Sequence, residues 1–156
     1  MILTFKQKMM SFAGKYEVYD ENDQIVYKIQ GRITIPKRFD IYNAQGENIA
    51  MLKEKLFDFM PQFLLYIDGQ QVGKVKKKFT FLSQKFDVNC NGWQVEGDIL
   101  GWDYSIVDAN NALVASMEKK IWHLTDQYVI DVVDPKDALL TLMIVLAIDA
   151  EKEGHN

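Results

Sequence analysis

The sequence predicts a mostly β fold: a closed, twelve-stranded antiparallel barrel built from repeated hairpins, enclosing one hydrophobic C-terminal α-helix. Three observations predict it. A hairpin-sized unit recurs along the chain, opening at Tyr16, Phe39 and Phe63, 23 and 24 residues apart, and again at Tyr104. Within each unit apolar residues fall at alternate positions, the period of a strand with one buried face. The chain then closes on an apolar run, Ala138 to Ile148, interrupted only by Thr141. A helix apolar all round has to be enclosed, and a barrel wider than about eight strands needs more than its own wall side chains to fill it. Each requirement answers the other.

In chain order, Leu3 to Met10 matches only the second half of a unit, so the meander starts on a single strand. The first full unit alternates Tyr16 and Val18, turns at Asp20-Glu21-Asn22-Asp23 and returns to Arg32. The next alternates Phe39 and Ile41 and turns at Asn43-Ala44-Gln45-Gly46. The third carries Phe63, Leu65 and Ile67 before Asp68-Gly69. Asp, Asn and Gly tolerate left-handed backbone, which is what tight hairpin turns demand. Phe86 to Cys90 reads as an opening strand that Asn91-Gly92 turns into Trp93–Asp98. The unit from Tyr104 turns at Asp108 to Asn111, and a last strand, Tyr128 to Val132, runs straight into the helix. Pro36 and Pro61 fall between units, where a missing N–H does little harm.

The helix is expected over about residues 135–149. Asp134 suits the N-cap, Pro135 the first helical position, and Asp137 the positive end of the helix dipole. Asp149 and the polar tail Glu151 to Asn156 mark its expected end. The apolar run is too short to span a bilayer, which takes about 20 residues. Leu140, Met143, Ile144 and Ala147 are all expected to be buried.

Composition fits one domain over residues 1–156. Hydrophobic residues make up 48% and aromatic residues 12%, enough for a substantial core and too much for a disordered chain. The net charge of −4, with acids and bases interspersed, argues against a nucleic-acid partner. The single cysteine, Cys90, excludes an internal disulfide framework and alternates with Phe86 and Val88 as a buried strand residue would. Lys6 and Lys8 interrupt the apolar segment that a signal peptide needs, so a cytoplasmic location is expected, soluble or peripheral to the membrane.

The hairpins with their Tyr-x-Val/Ile-Tyr-Asp/Asn openings, the segment Trp93-Gln94-Val95-Glu96-Gly97-Asp98 with Gly101-Trp102-Asp103-Tyr104, and Leu124 to Ile130 together resemble the LURP-one-related family. The ending from Asp134-Pro135-Lys136-Asp137 through Asp149 shares that resemblance, which covers nearly the whole chain. It implies membership of a superfamily that includes the tubby C-terminal domain and phospholipid scramblases, hence a twelve-stranded barrel around a hydrophobic helix. It implies no activity. Tubby-type domains bind phosphoinositide head groups and scramblases are associated with calcium and lipid movement, but neither group's site motif is present here.

The residues themselves give little chemistry. His123 lies at a strand end and His155 in the tail, with no nucleophile arranged around either. No phosphate-binding loop, dinucleotide fingerprint or Cys/His metal spacing occurs, so no metal and no cofactor is expected. Asp20-Glu21-Asn22-Asp23 resembles half of a calcium loop but lacks its glycine and distant glutamate, and reads better as a turn. Glu96, Asp98, Asp103 and Asp126 form a sparse carboxylate set whose expected roles are structural.

Basic residues are the functional lead. Lys53 and Lys55 share one strand face, as do Lys74, Lys76 and Lys78, and Arg32 and Lys120 hold the equivalent repeat position. Stacked on neighbouring hairpins, these seven would form a basic stripe for anionic lipid head groups or phosphate. The bland alternative is a solvated barrel face. Lys77, Lys119 and Glu54 have the opposite phase: either they point inward near a barrel mouth, or a bulge shifts the register. The function expected is a non-catalytic binding or scaffold domain for an anionic lipid surface or a protein partner. The alternatives are a small-ligand carrier or enzyme with a pocket between wall and helix, and a helix that itself inserts into a membrane.

Overall fold

The structure, a computed structural model, describes residues 1–6, 14–32, 34–56, 59–79, 84–122 and 125–153. Its strands are β1 (Ile2–Phe5), β2 (Lys15–Tyr19), β3 (Ile25–Arg32), β4 (Arg38–Asn43), β5 (Asn48–Glu54) and β6 (Gln62–Ile67). There follow β7 (Gln70–Phe79), β8 (Gln84–Asn89), β9 (Gln94–Asp98), β10 (Asp103–Val107), β11 (Leu113–Trp122) and β12 (Thr125–Val132). A 3-10 turn, Pro135–Asp137, leads into the helix α1 (Ala138–Glu153).

All twelve strands form one antiparallel sheet, ordered β8-β7-β6-β5-β4-β3-β2-β1-β12-β11-β10-β9. Each strand therefore pairs with its neighbours in sequence except at β8 and β9, and β1 bridges the two ends of the chain. Leu3 stands opposite Ile130 of β12, and Thr4 opposite Tyr19 of β2. The two outermost strands, β8 and β9, are consecutive and joined by the expected turn, where Asn91 and Gly92 have φ of 53° and 70°. No ladder joins them among the described residues. The barrel is nearly closed, with one seam, and closure leaves few strand edges open to other chains.

The strand periodicity places the repeated aromatics inside. Tyr16, Phe39, Phe63, Tyr104 and Tyr128 are all buried, and the Phe39 and Phe63 rings pack 6.1 Å apart in a tilted pair. The turns carry left-handed residues as their composition requires, including Asp23, Gly46, Asp68, Gly69 and Asn111. Asp20 Oδ1 accepts from the Asn22 and Gln24 N–H groups at 2.8 and 2.9 Å, so the acidic stretch there is a turn.

The helix fills the lumen. Asp134 accepts from the Lys136 N–H at 3.1 Å as the N-cap, with Pro135 behind it. Met143, Ile144 and Ala147 are fully buried, and so are Leu142, Val145 and Leu146, so that steps of about 100° from Leu142 to Leu146 carry burial round the whole helix. Leu140 is only half-buried, because the first turn sits at the mouth where the chain enters the barrel. The other end also departs from expectation. The helix does not stop at Asp149 but runs to Glu153, drawing both Asp149 and Glu151 into the interior. Neither Pro nor Gly intervenes before Gly154, and buried helix neighbours hold the extra turn in place. The outer half of the expected first strand, beyond Lys6, lies outside the described residues, as do His123 and His155.

Candidate functional site

Ladder register assembles the basic wall. Each strand buries one face against the helix, so Phe39, Leu52, Phe63 and Val75 point in, and their neighbours point out. On the outside Arg32 of β3 stands opposite Arg38 of β4, and Arg38 opposite Lys53 of β5. Lys53 faces Leu64 of β6, which faces Lys74 of β7. Four strand spacings of about 4.8 Å put Arg32 and Lys74 roughly 19 Å apart at the backbone, with Arg38 and Lys53 between them. Neighbours in this row lie within a Debye length, about 10 Å at 0.1 M salt, so their fields add.

The remaining candidates fall elsewhere. The Lys55 N–H donates to the Gln62 carbonyl at 3.0 Å, and Gln62 stands opposite Lys76, so Lys55 and Lys76 begin a second, parallel row. Lys78 stands opposite Lys85 and pairs with Asp87 at 3.5 Å. Lys120 lies outside the β3–β7 sector: β2, β1 and β12 stand between β3 and its strand β11, and Lys120 pairs with Glu118 at 2.8 Å. The repeat-equivalent positions Arg32, Lys55 and Lys78 therefore do not share one ladder line. Strands in a barrel tilt, and the accompanying stagger brings Lys53, two residues before Lys55, level with Arg32.

One acid anchors the row. Asp40, on the outer face of β4, is buried beneath two guanidinium groups, accepting from Arg32 Nε at one oxygen and from Arg38 Nε at the other, the latter at 2.9 Å. The Asp40 hydrogen bond, then one to Tyr42, holds the Arg32 guanidinium above its ordinary pKa. Beside it the wall of β2, β3 and β4 forms a depression of about 490 Å³ lined by Lys15, Glu17, Lys28, Gln30, Arg32 and Tyr42. Arg38 and Asp40 were missed by sequence reasoning. Arg38 opens its strand immediately before Phe39, and that adjacency was the available signal.

A second polar cluster lies inside, where α1 ends. Lys77 points inward from β7 and is fully buried, so the inward reading of its phase is the correct one and no bulge is needed. Glu151 is 3% exposed, and burial pushes its carboxyl up to about 9, which Lys77 opposes and Glu54 reinforces. Burial in turn lowers Lys77. Tyr104 is raised, by burial first and then by the charge of Asp149. Lys152 donates to the Ile99 carbonyl at 2.6 Å with its ammonium 3.7 Å from the Trp102 ring centroid. Lys119 sits at the mouth, paired with Asp126 at 2.9 Å.

The sparse carboxylates take structural parts. Asp98 accepts from the Gly101 N–H at 2.9 Å and stands opposite Asp103, whereas Glu96 faces Ser105 and Asp126 holds Lys119. Among the described residues no three His, Cys, Asp or Glu side chains converge as metal ligands would.

Comparison with known proteins agrees with this architecture. The chain is 28% identical over 148 residues to the uncharacterised protein YxjI of Bacillus subtilis, covering 94% of this chain and 91% of that one. Its fold is similar to that of a protein from Arabidopsis thaliana solved by X-ray crystallography, with a TM-score of 0.59 and 16% identity, covering 93% of this chain and 89% of the other. The family model described as LURP-one-related matches residues 1–149, and the chain belongs to that family.

Proposed function

We propose that this chain is a non-catalytic binding domain whose basic outer wall recognises anionic lipid head groups. The observation that carries the reading is the cross-strand row Arg32, Arg38, Lys53 and Lys74. Like charges directly opposite one another, as Arg38 and Lys53 are, destabilise a sheet by as much as ~1 kcal/mol per pair. Asp40 offsets the two arginines, but among the described residues Lys53 and Lys74 make no ion pair. A row kept at that cost suits a phosphate-rich surface, which rewards each nearby cation by about 1 kcal/mol.

The filled lumen favours a binding module over a carrier, because Leu142 to Ile148 are buried without a break. No described helix is long and apolar enough to cross a membrane. The lone, reduced Cys90 fits a cytoplasmic protein that reaches the bilayer from that side. Vesicle sedimentation tests the reading. The protein is expected to bind phosphatidylcholine vesicles containing phosphatidylserine at low salt, to release them at high salt, and to lose most binding as Lys53→Glu with Lys74→Glu. A folded double variant that binds as well as the parent, or a parent that never binds, would overturn it.

A further inference from the structure

The most exposed large apolar side chains sit at one end of the barrel. In an antiparallel meander every connection after an odd-numbered strand lies at the same end, and every connection after an even-numbered strand at the other. Phe59, in the β5–β6 connection, is 97% exposed, and Ile35, in the β3–β4 connection, is 90% exposed. The two connections are neighbours and bonded to each other. The Glu54 N–H donates to the Lys37 carbonyl at 2.9 Å, and the Lys37 N–H donates to Glu54 Oε2 at 3.1 Å. At that exposure both side chains bury little apolar area within the fold.

Charge says what meets them. Arg32, Lys37 and Arg38 flank Ile35, Lys55 precedes Phe59, and Lys78 ends the adjacent β7. Among the described residues the acids in this sector are engaged: Asp40 lies under Arg32 and Arg38, Glu54 accepts from the Lys37 N–H, and Asp87 pairs with Lys78; Asp58, beside Phe59 in the sequence, lies outside the described residues. The opposite end is acidic, its turns carrying Asp20, Glu21, Asp23, Glu47, Asp68 and Asp108. An anionic surface is therefore attracted to one end and repelled by the other. Apolar tips ringed by cations match the two layers of a bilayer interface, anionic heads over acyl chains.

We propose that the barrel docks end-on to an anionic bilayer, with Ile35 and Phe59 entering the head-group–acyl boundary and the Arg32–Arg38–Lys53 row continuing the contact along the wall. This rests on the lipid reading above and adds the orientation and the inserted residues. Both tips are exposed, so serine substitutions leave the core untouched, and an unchanged melting temperature confirms folding.

The test uses the full chain with phosphatidylcholine vesicles, with and without phosphatidylserine. Ile35→Ser with Phe59→Ser is expected to weaken partitioning onto the anionic vesicles by about tenfold or more, with the salt dependence retained. Leu113→Ser with Val133→Ser, exposed apolar residues at the acidic end, should bind as the parent does. Phe59→Trp should shift its emission to the blue on these vesicles and be quenched by brominated acyl chains, beyond the change shown by the parent's own tryptophans. If the parent binds but Phe59→Trp stays in an aqueous environment and the serine variant binds normally, end-on docking is wrong while head-group recognition stands. Weakening by the Leu113 and Val133 variant instead would reverse the orientation and overturn the proposal. A parent that binds neither vesicle removes the lipid reading, and this inference with it.

Discussion

Lys77 of the wall and Glu151 of the helix are both buried inside the barrel, and each is the opposite charge that the other feels. Burial dominates both. The consequence is a stability that falls with pH. An unfolded chain releases the Glu151 proton near 4.5, whereas the folded one holds it to about 9. Between those values the unfolded state binds fewer protons, so the contribution present below 4.5 is progressively lost as pH rises through about 9. Lys77, lowered from 10.5, acts with the opposite sign, its contribution rising as pH approaches 10.5. Denaturant unfolding at several pH values should show the decline, and Glu151→Gln should flatten it and stabilise the protein at pH 8. An equal slope in that variant would mean that Glu151 is ionised in the fold.

Leu142 is fully buried in the middle of α1, surrounded by the barrel wall. Leu142→Asp places an unpaired carboxylate there, at a cost of several kcal/mol against a total stability of about 5–15 kcal/mol. The variant should be insoluble or unfolded by circular dichroism. A cooperative melting transition in it would contradict the enclosed helix.

Gly73 marks a close approach between β7 and β8. A Cβ added there would fall 2.7 Å from the Asn89 carbonyl oxygen and 2.7 Å from Cys90 Cβ. Backbone oxygen cannot swing aside, so Gly73→Ala should destabilise by ~1–3 kcal/mol and lower the melting temperature by several degrees. An unshifted melting curve would show that the two strands can separate freely.

Cys90 is buried and donates to the Val72 carbonyl at 3.4 Å, and burial raises its thiol pKa. The thiolate is the reactive form, so a thiol reagent should label the native protein only as fast as it opens and label denatured protein at once. Rapid stoichiometric labelling without denaturant would place Cys90 at the surface, on the wrong side of the β8 alternation.

Sequence alone determined the twelve strands, the turn sites and the enclosed helix. Alternation in each unit names the buried face, Asp, Asn and Gly name the turns, and an apolar run with no polar side demands enclosure; all three are local properties. The phase of Lys77 was equally legible, although its direction was not. Tertiary structure decided which residues meet. Arg32 is level with Lys53 rather than with its repeat-equivalent Lys55 because stagger is a property of the whole barrel, which no single hairpin encodes. Lys120 shares the repeat position of the basic residues yet lies on β11, outside the β3–β7 sector that carries them, since position in a repeat does not fix position around a circumference. Asp149 and Glu151 look like the start of a polar tail, and only the surrounding wall turns them into core. Period two fixes a side chain's face; the closed sheet fixes its neighbours.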